Sequence, residues 1–106
     1  MLLTTTPFVE KFPVKQYLGL VHGEVILGAN VFRDFMAGMT NFLGGRSGAY
    51  EGSFVEARDK ATKEAIKTAN RLGANAIIGM TYHYHTVEFK ESSMLMVTVS
   101  GTAVLI

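Results

Sequence analysis

The chain has 106 residues, 48% of them hydrophobic and 18% charged, with a formal net charge of +1 and no cysteine. That balance suits one domain around one core and excludes a disordered chain. It also excludes disulfides and thiolate metal sites, and it gives no strong electrostatic pull toward nucleic acid or acidic lipid.

The opening segment, "MLLTTTPFVEKF", lacks the basic flank and long apolar centre of a signal peptide, so a cytoplasmic location is expected. Residues 2–6 read as a short edge strand, and Pro7 and Pro13 bracket a turn-like connection. Residues 14–27 are rich in β-formers and read as a strand, with Gly19 or Gly23 as the place for a bend. The longest apolar run, around 17–32, is broken by His22, Glu24 and Asn30, which excludes a membrane span. Gly28 then ends the strand, and Asn30 is a good N-cap for a first helix. Along that helix Val31, Phe32, Phe35, Met36, Met39, Phe42 and Leu43 recur at helical spacing and make one apolar stripe.

The stretch "FLGGRSGAYE" (42–51) turns the chain into a second, longer helix over about 48–72. Its apolar side is Phe54, Ala57, Ala61, Ala65, Ala69 and Leu72. Its charged side carries Glu56 with Lys60 and Asp59 with Lys63 at four-residue spacing, as expected of a solvated face. A helix lined with alanine can lie close against its neighbour. Gly73 is the expected left-handed terminator. Residues 76–89 and 94–106 follow as strands joined by a turn at 90–93, and they make a hairpin.

Simple alternation sorts the hairpin into faces. On the last strand Leu95, Val97, Val99, Ala103 and Leu105 suit a core, opposite Met94, Met96, Thr98, Ser100, Thr102 and Val104. On its partner, Ile78, Met80, Tyr82 and Tyr84 share one face, while Ile77, Thr81, His83, His85, Val87 and Phe89 share the other. Neither face is plainly a water face. Two helices cover only one side of a small sheet, so the half-apolar remainder calls for a second copy of the chain. The expected architecture is a single α+β domain over 1–106: a small antiparallel sheet with two helices on one face, assembled as a homo-oligomer.

Three constellations could carry chemistry. In the glycine corner, Gly44 or Gly45 can cap the first helix and Ser47 the second, which makes the corner purely structural. Alternatively Arg46, Ser47 and the free amides of the second helix form an anion pocket, with Tyr50 as a stacking face and Glu51 as an acceptor. No Lys-Ser or Lys-Thr follows the glycines, so this is not a phosphate loop of the nucleotide-binding kind. "GRSG" also matches the Gly-x-x-Gly loop of KH RNA-binding domains, but it offers a single basic residue and the final helix of that fold is absent.

The third constellation is the histidines. His83 and His85 alternate along one strand and share a face, as do His22 and Glu24 on an earlier one. If those strands were neighbours, the four side chains could converge on a divalent metal such as zinc or nickel. Packing at a subunit contact is the competing role for the Tyr-His-Tyr-His run. The six methionines suit core filling. No nucleophile, base and orienting group stand together, so no enzyme is expected.

"TTT" near the start, "GEVILGANVFRDFMAGMTNFLGGRSGAYE", "ANRLGANAIIGM" and "SMLMVTVSGTAV" together resemble the YbjQ-like family of small bacterial proteins, over almost the whole chain. The resemblance implies a dodecin-like β-α-β-β subunit assembled as a homo-oligomeric ring, of five copies. It implies no established activity and carries a heavy-metal-binding label, so any cofactor is expected to be a divalent metal. Acidic residues are typical of that family around the positions of His83 and His85. "GGRSGAYE" matches the family as it stands, and the resemblance points to Gly45, Arg46, Ser47, Tyr50 and Glu51 as ligand-binding residues.

Overall fold

The computed structural model describes residues 1–27, 47–89 and 92–106, with the side chains of 47–54 and 87–93 left outside that description. The elements are β1 (Leu2–Leu3), β2 (Gln16–Leu27), α1 (Ser47–Arg71), β3 (Ala76–Phe89) and β4 (Ser92–Leu105). The helix expected over residues 30–43 lies outside the described residues, and α1 is the one helix among the described residues.

The strands form one sheet in the order β1-β3-β4-β2. β4 is central, antiparallel to both β3 and β2. The sheet is mixed rather than wholly antiparallel, because β1 runs parallel to β3 and pairs Leu2 with Ala76 and Leu3 with Ile77. That contact extends past the strand: Met80 N–H donates to the Thr4 carbonyl (3.1 Å) and Gly79 N–H to the Thr6 carbonyl (2.8 Å).

α1 lies over β2 and β4 on one face of the sheet. Its stripe of Ala57, Ala61, Ala65 and Ala69 is buried, as the four-residue spacing requires. Against it pack Val21, Ile77, Met80, Val99 and Ala103. Each large member of this core contributes about 2 kcal/mol through removal from water. The helix comes close enough that a methyl group at Gly23 would lie 2.7 Å from the Ala61 carbonyl carbon and 3.1 Å from Val99 Cγ1. Only a residue without Cβ fits between strand and helix there. Leu72, expected to continue the stripe, is instead 40% exposed, because the helix has already ended. The terminator is Gly73 (φ 84°), whose N–H donates to the Asn70 carbonyl (3.1 Å), while Ala74 N–H donates to the Ala69 carbonyl (3.0 Å). On the outer side Lys60 Nζ stands 3.6 Å from Glu56 Oε1, one of the two expected pairs. Asp59 lies near Arg58 (3.8 Å), and among the described residues no ion pair joins it to Lys63.

Two irregularities decide which side chains meet. On β2 the register slips between Tyr17 and Gly19, and Gly19 has φ 140°. On β3 it slips between Ile78 and Thr81, around Gly79 with φ 61°. The second slip overturns the simple alternation. Ile77 shares the helix face with Met80 and Tyr82, while Ile78 turns to the opposite face. A bulge adds one residue to a strand and so reverses the facing of everything beyond it. Tyr82 gains from its new place a hydroxyl contact with Thr62 Oγ1 at 3.0 Å.

The opposite face is covered at one end only. There Ala76, Ile78 and Val104 are buried beneath Val9, Val14 and Ile106. Val104, placed on the open side by its spacing, is therefore core, while Leu105 is only half-buried. Asn75 closes this end. Its Nδ2 donates to the Ile106 carbonyl (2.9 Å) and its Oδ1 accepts from the Ile106 N–H (2.8 Å). Asn75→Ala removes both bonds at an exposed site and is expected to lower stability by about 1 kcal/mol, with faster hydrogen exchange confined to the Ile106 amide and its neighbours. Unchanged exchange there would show that the clamp does not hold the terminus.

Candidate functional site

Beyond that covered end the face opposite α1 is open among the described residues. It presents Leu20, His22, Glu24 and Ile26 from β2, Met96, Thr98, Ser100 and Thr102 from β4, and Thr81, His83 and His85 from β3. The register arranges them in rungs. His22 faces Ser100, which faces Thr81; Glu24 faces Thr98, which faces His83; Ile26 faces Met96, which faces His85. Thr81 Oγ1 and Ser100 Oγ are 3.1 Å apart and share a hydrogen bond. Beside them a shallow depression of about 400 Å³ is floored by Gly79 and Gly101 and rimmed by Leu20, His22 and Thr102.

His83 and His85 share this face, as their spacing implies. Both are exposed, and their rings stack with centroids 5.9 Å apart at 16°. His22 and Glu24 pair on β2, with Nε2 3.5 Å from Oε2. The condition for the four to converge is not met within one chain, because β4 separates β2 from β3. Two strand spacings amount to about 10 Å, and Thr98 and Ser100 stand in the gap. Among the described residues no group of three or more His, Asp or Glu side chains is placed to hold a metal ion.

Of the glycine-corner candidates, Gly45 and Arg46 lie outside the described residues. Ser47 opens α1, and Tyr50 and Glu51 follow on its first two turns; these are described by backbone alone. The Gly-x-x-Gly match is thus split, with Ser47 and Gly48 already helical.

Spacing alone gave no sign of how bare Leu20 and Ile26 are, at 85% and 51% exposure on the open face. The signal that was available is Gly79, a lone glycine inside an apolar strand, which is the usual mark of a bulge.

Among the described residues one helix crosses a mixed four-stranded sheet, with a histidine-bearing face left open, which makes a small α+β fold. The chain belongs to the family whose model is described as "Putative heavy-metal-binding" (YbjQ_1), matched over residues 1–106. It is 50% identical over 104 residues to a UPF0145 protein of Clostridium botulinum, covering 98% of this chain and 97% of the relative. It is 46% identical over 106 residues to a UPF0145 protein of Pasteurella multocida, covering 100% of this chain and 99% of the relative. Neither name states an enzymatic activity. In fold it is similar to a DUF74-family protein of unknown function from Pediococcus pentosaceus, with a TM-score of 0.68 at 21% identity, covering 100% of this chain and 97% of the other. No helix among the described residues is long and apolar enough to cross a membrane.

Proposed function

We propose that the chain is the subunit of a cytoplasmic homo-oligomeric binding protein, a ring of five with the dodecin-like subunit layout that the family resemblance implies. The observation that carries this reading is the open sheet face, where Leu20 and Ile26 stand 85% and 51% exposed. Large apolar side chains in contact with water on one face are the usual mark of a contact surface. The long outer edge of β2 adds backbone groups that a second copy can satisfy. The ligand class in best agreement with the family description is a divalent metal, with His83 and His85 as donors. The glycine-corner residues Gly45, Arg46, Ser47, Tyr50 and Glu51 remain the proposed anion-binding set.

Sedimentation velocity and native mass spectrometry at micromolar concentration test the assembly. The expected result is one closed species of several subunits, reduced to single chains by the double substitution Leu20→Asp and Ile26→Asp. Both residues are exposed in one copy, so far-UV circular dichroism should be unchanged. A wild-type chain that sediments as a monomer would remove the reading.

A further inference from the structure

The methionines are not all core filler. Met80 is buried under α1, but Met94 and Met96 alternate with the buried Leu95 and Val97 and stand half-buried on the face away from the helix. His83 and His85 are exposed on the same face. The register of β3 and β4 lays the two alternating pairs side by side. His85 faces Met96 directly, His83 faces Thr98, and Met94 lies one rung beyond Met96, opposite Val87. His83 is therefore diagonal to Met96, and His85 is diagonal to Met94 in the same sense.

Facing positions on antiparallel strands have Cβ atoms about 5 Å apart, and diagonal ones are about 7–8 Å apart, within reach of a ring or a long side chain. Both strands belong to one chain and pair directly, so no second copy has to supply a ligand. Methionine is unbranched with three rotatable bonds, and the ring torsion of histidine is soft. Both side-chain types can therefore turn toward one point above these rungs without distorting the sheet. The two imidazoles already lie side by side, with centroids 5.9 Å apart and planes within 16°.

The chemistry of the donors selects the ion. Two imidazoles leave zinc two ligands short of its usual four. Among the described residues no third His, Asp or Glu joins them. Glu24, on the same face, is two strand spacings from His83, with Thr98 between. What the sheet does place beside the histidines is sulfur. Thioethers are soft and uncharged, and together with imidazole they suit copper(I), whose single charge needs no carboxylate to balance it. Ile26 pairs with Met96 on its other flank, so the sulfur end of the group is apolar and the imidazole end meets water.

We propose that His83, His85 and Met96, with Met94 as a second thioether, form a copper(I) site on the open sheet face. It rests on the reading of His83 and His85 as metal donors and goes beyond it, because the thioethers add a preference for copper(I) over zinc and nickel. It does not depend on the assembly of subunits.

The test uses the full-length chain and two variants, Met94→Leu with Met96→Leu, and His83→Gln with His85→Gln. Leucine conserves the volume of methionine, and both histidines are exposed, so far-UV circular dichroism should be unchanged in both variants. Anaerobic titration with copper(I) against a colorimetric chelator reads the affinity, and X-ray absorption at the copper edge reads the ligand atoms. Titration with zinc and with nickel reads the histidine pair alone. Wild type should bind one copper(I) per chain, with sulfur as well as nitrogen around the metal. The methionine variant should lose the sulfur signal and at least about tenfold in copper(I) affinity, a loss that even an outer partner of a metal ligand can cause, with zinc affinity unchanged. The histidine variant should weaken for every metal. Wild-type copper(I) affinity in the methionine variant, or a wild-type spectrum without sulfur, overturns the site. A wild type that takes up zinc or nickel but no copper(I) overturns it and leaves the divalent-metal reading standing. One that takes up none of the three removes both.

Discussion

Gly23→Ala is expected to lower the stability of the fold by about 3 kcal/mol, near the upper end for overpacking a core. The added methyl group runs into the Ala61 carbonyl of α1 and comes within 3.1 Å of Val99 Cγ1. A flexible side chain could rotate away from such a clash, but a helix backbone cannot. The helix must lift from β2, and it takes with it the buried contacts of Ala57, Ala61, Ala65 and Ala69. For a chain of this size the loss corresponds to a fall in Tm of about 15 °C, measured at one fixed protein concentration. A change below about 0.5 kcal/mol, the range of ordinary surface substitutions, would mean that the helix does not press on the strand at Gly23.

Ala65→Leu probes the same interface from the other side. Ala65 is fully buried, in one cluster with Val21, Ile77 and Val99. Leucine is as good a helix former as most residues, so intrinsic propensity predicts almost no effect. Packing predicts a loss of about 3 kcal/mol, since the extra carbons find no room beneath a helix seated on small residues. Chemical denaturation decides between the two. A lower midpoint with an unchanged slope is expected, because the same surface unfolds from a strained native state. An unchanged midpoint would show that the helix is free to move outward. The control is Lys63→Leu on the exposed side, which should shift stability by less than about 0.5 kcal/mol.

Both substitutions act where the sequence is most easily read. Alanine at every fourth position makes a narrow small-residue stripe whatever lies beneath it, and the helix ends at Gly73, whose N–H donates to the Asn70 carbonyl while the Ala74 N–H donates to the Ala69 carbonyl. Val97 and Val99 alternate into the core as a strand must. The pairing of His83 with His85 on one face was legible for the same reason. Helical turn and strand pleat are local properties, carried by residues a few positions apart.

What the sequence alone determined, then, was the presence of a long helix from about residue 48, three long strands, and two pairs of potential ligands on strand faces. Tertiary structure decided the rest. The bulge around Gly79 moved Ile77 to the helix face and Ile78 away from it. Parallel docking of β1 turned an expected antiparallel sheet into a mixed one. Insertion of β4 between β2 and β3 parted the two ligand pairs. Each of these depends on which distant segments pair and in what register. That choice is made by the packing of the whole sheet, and no short stretch of chain records it.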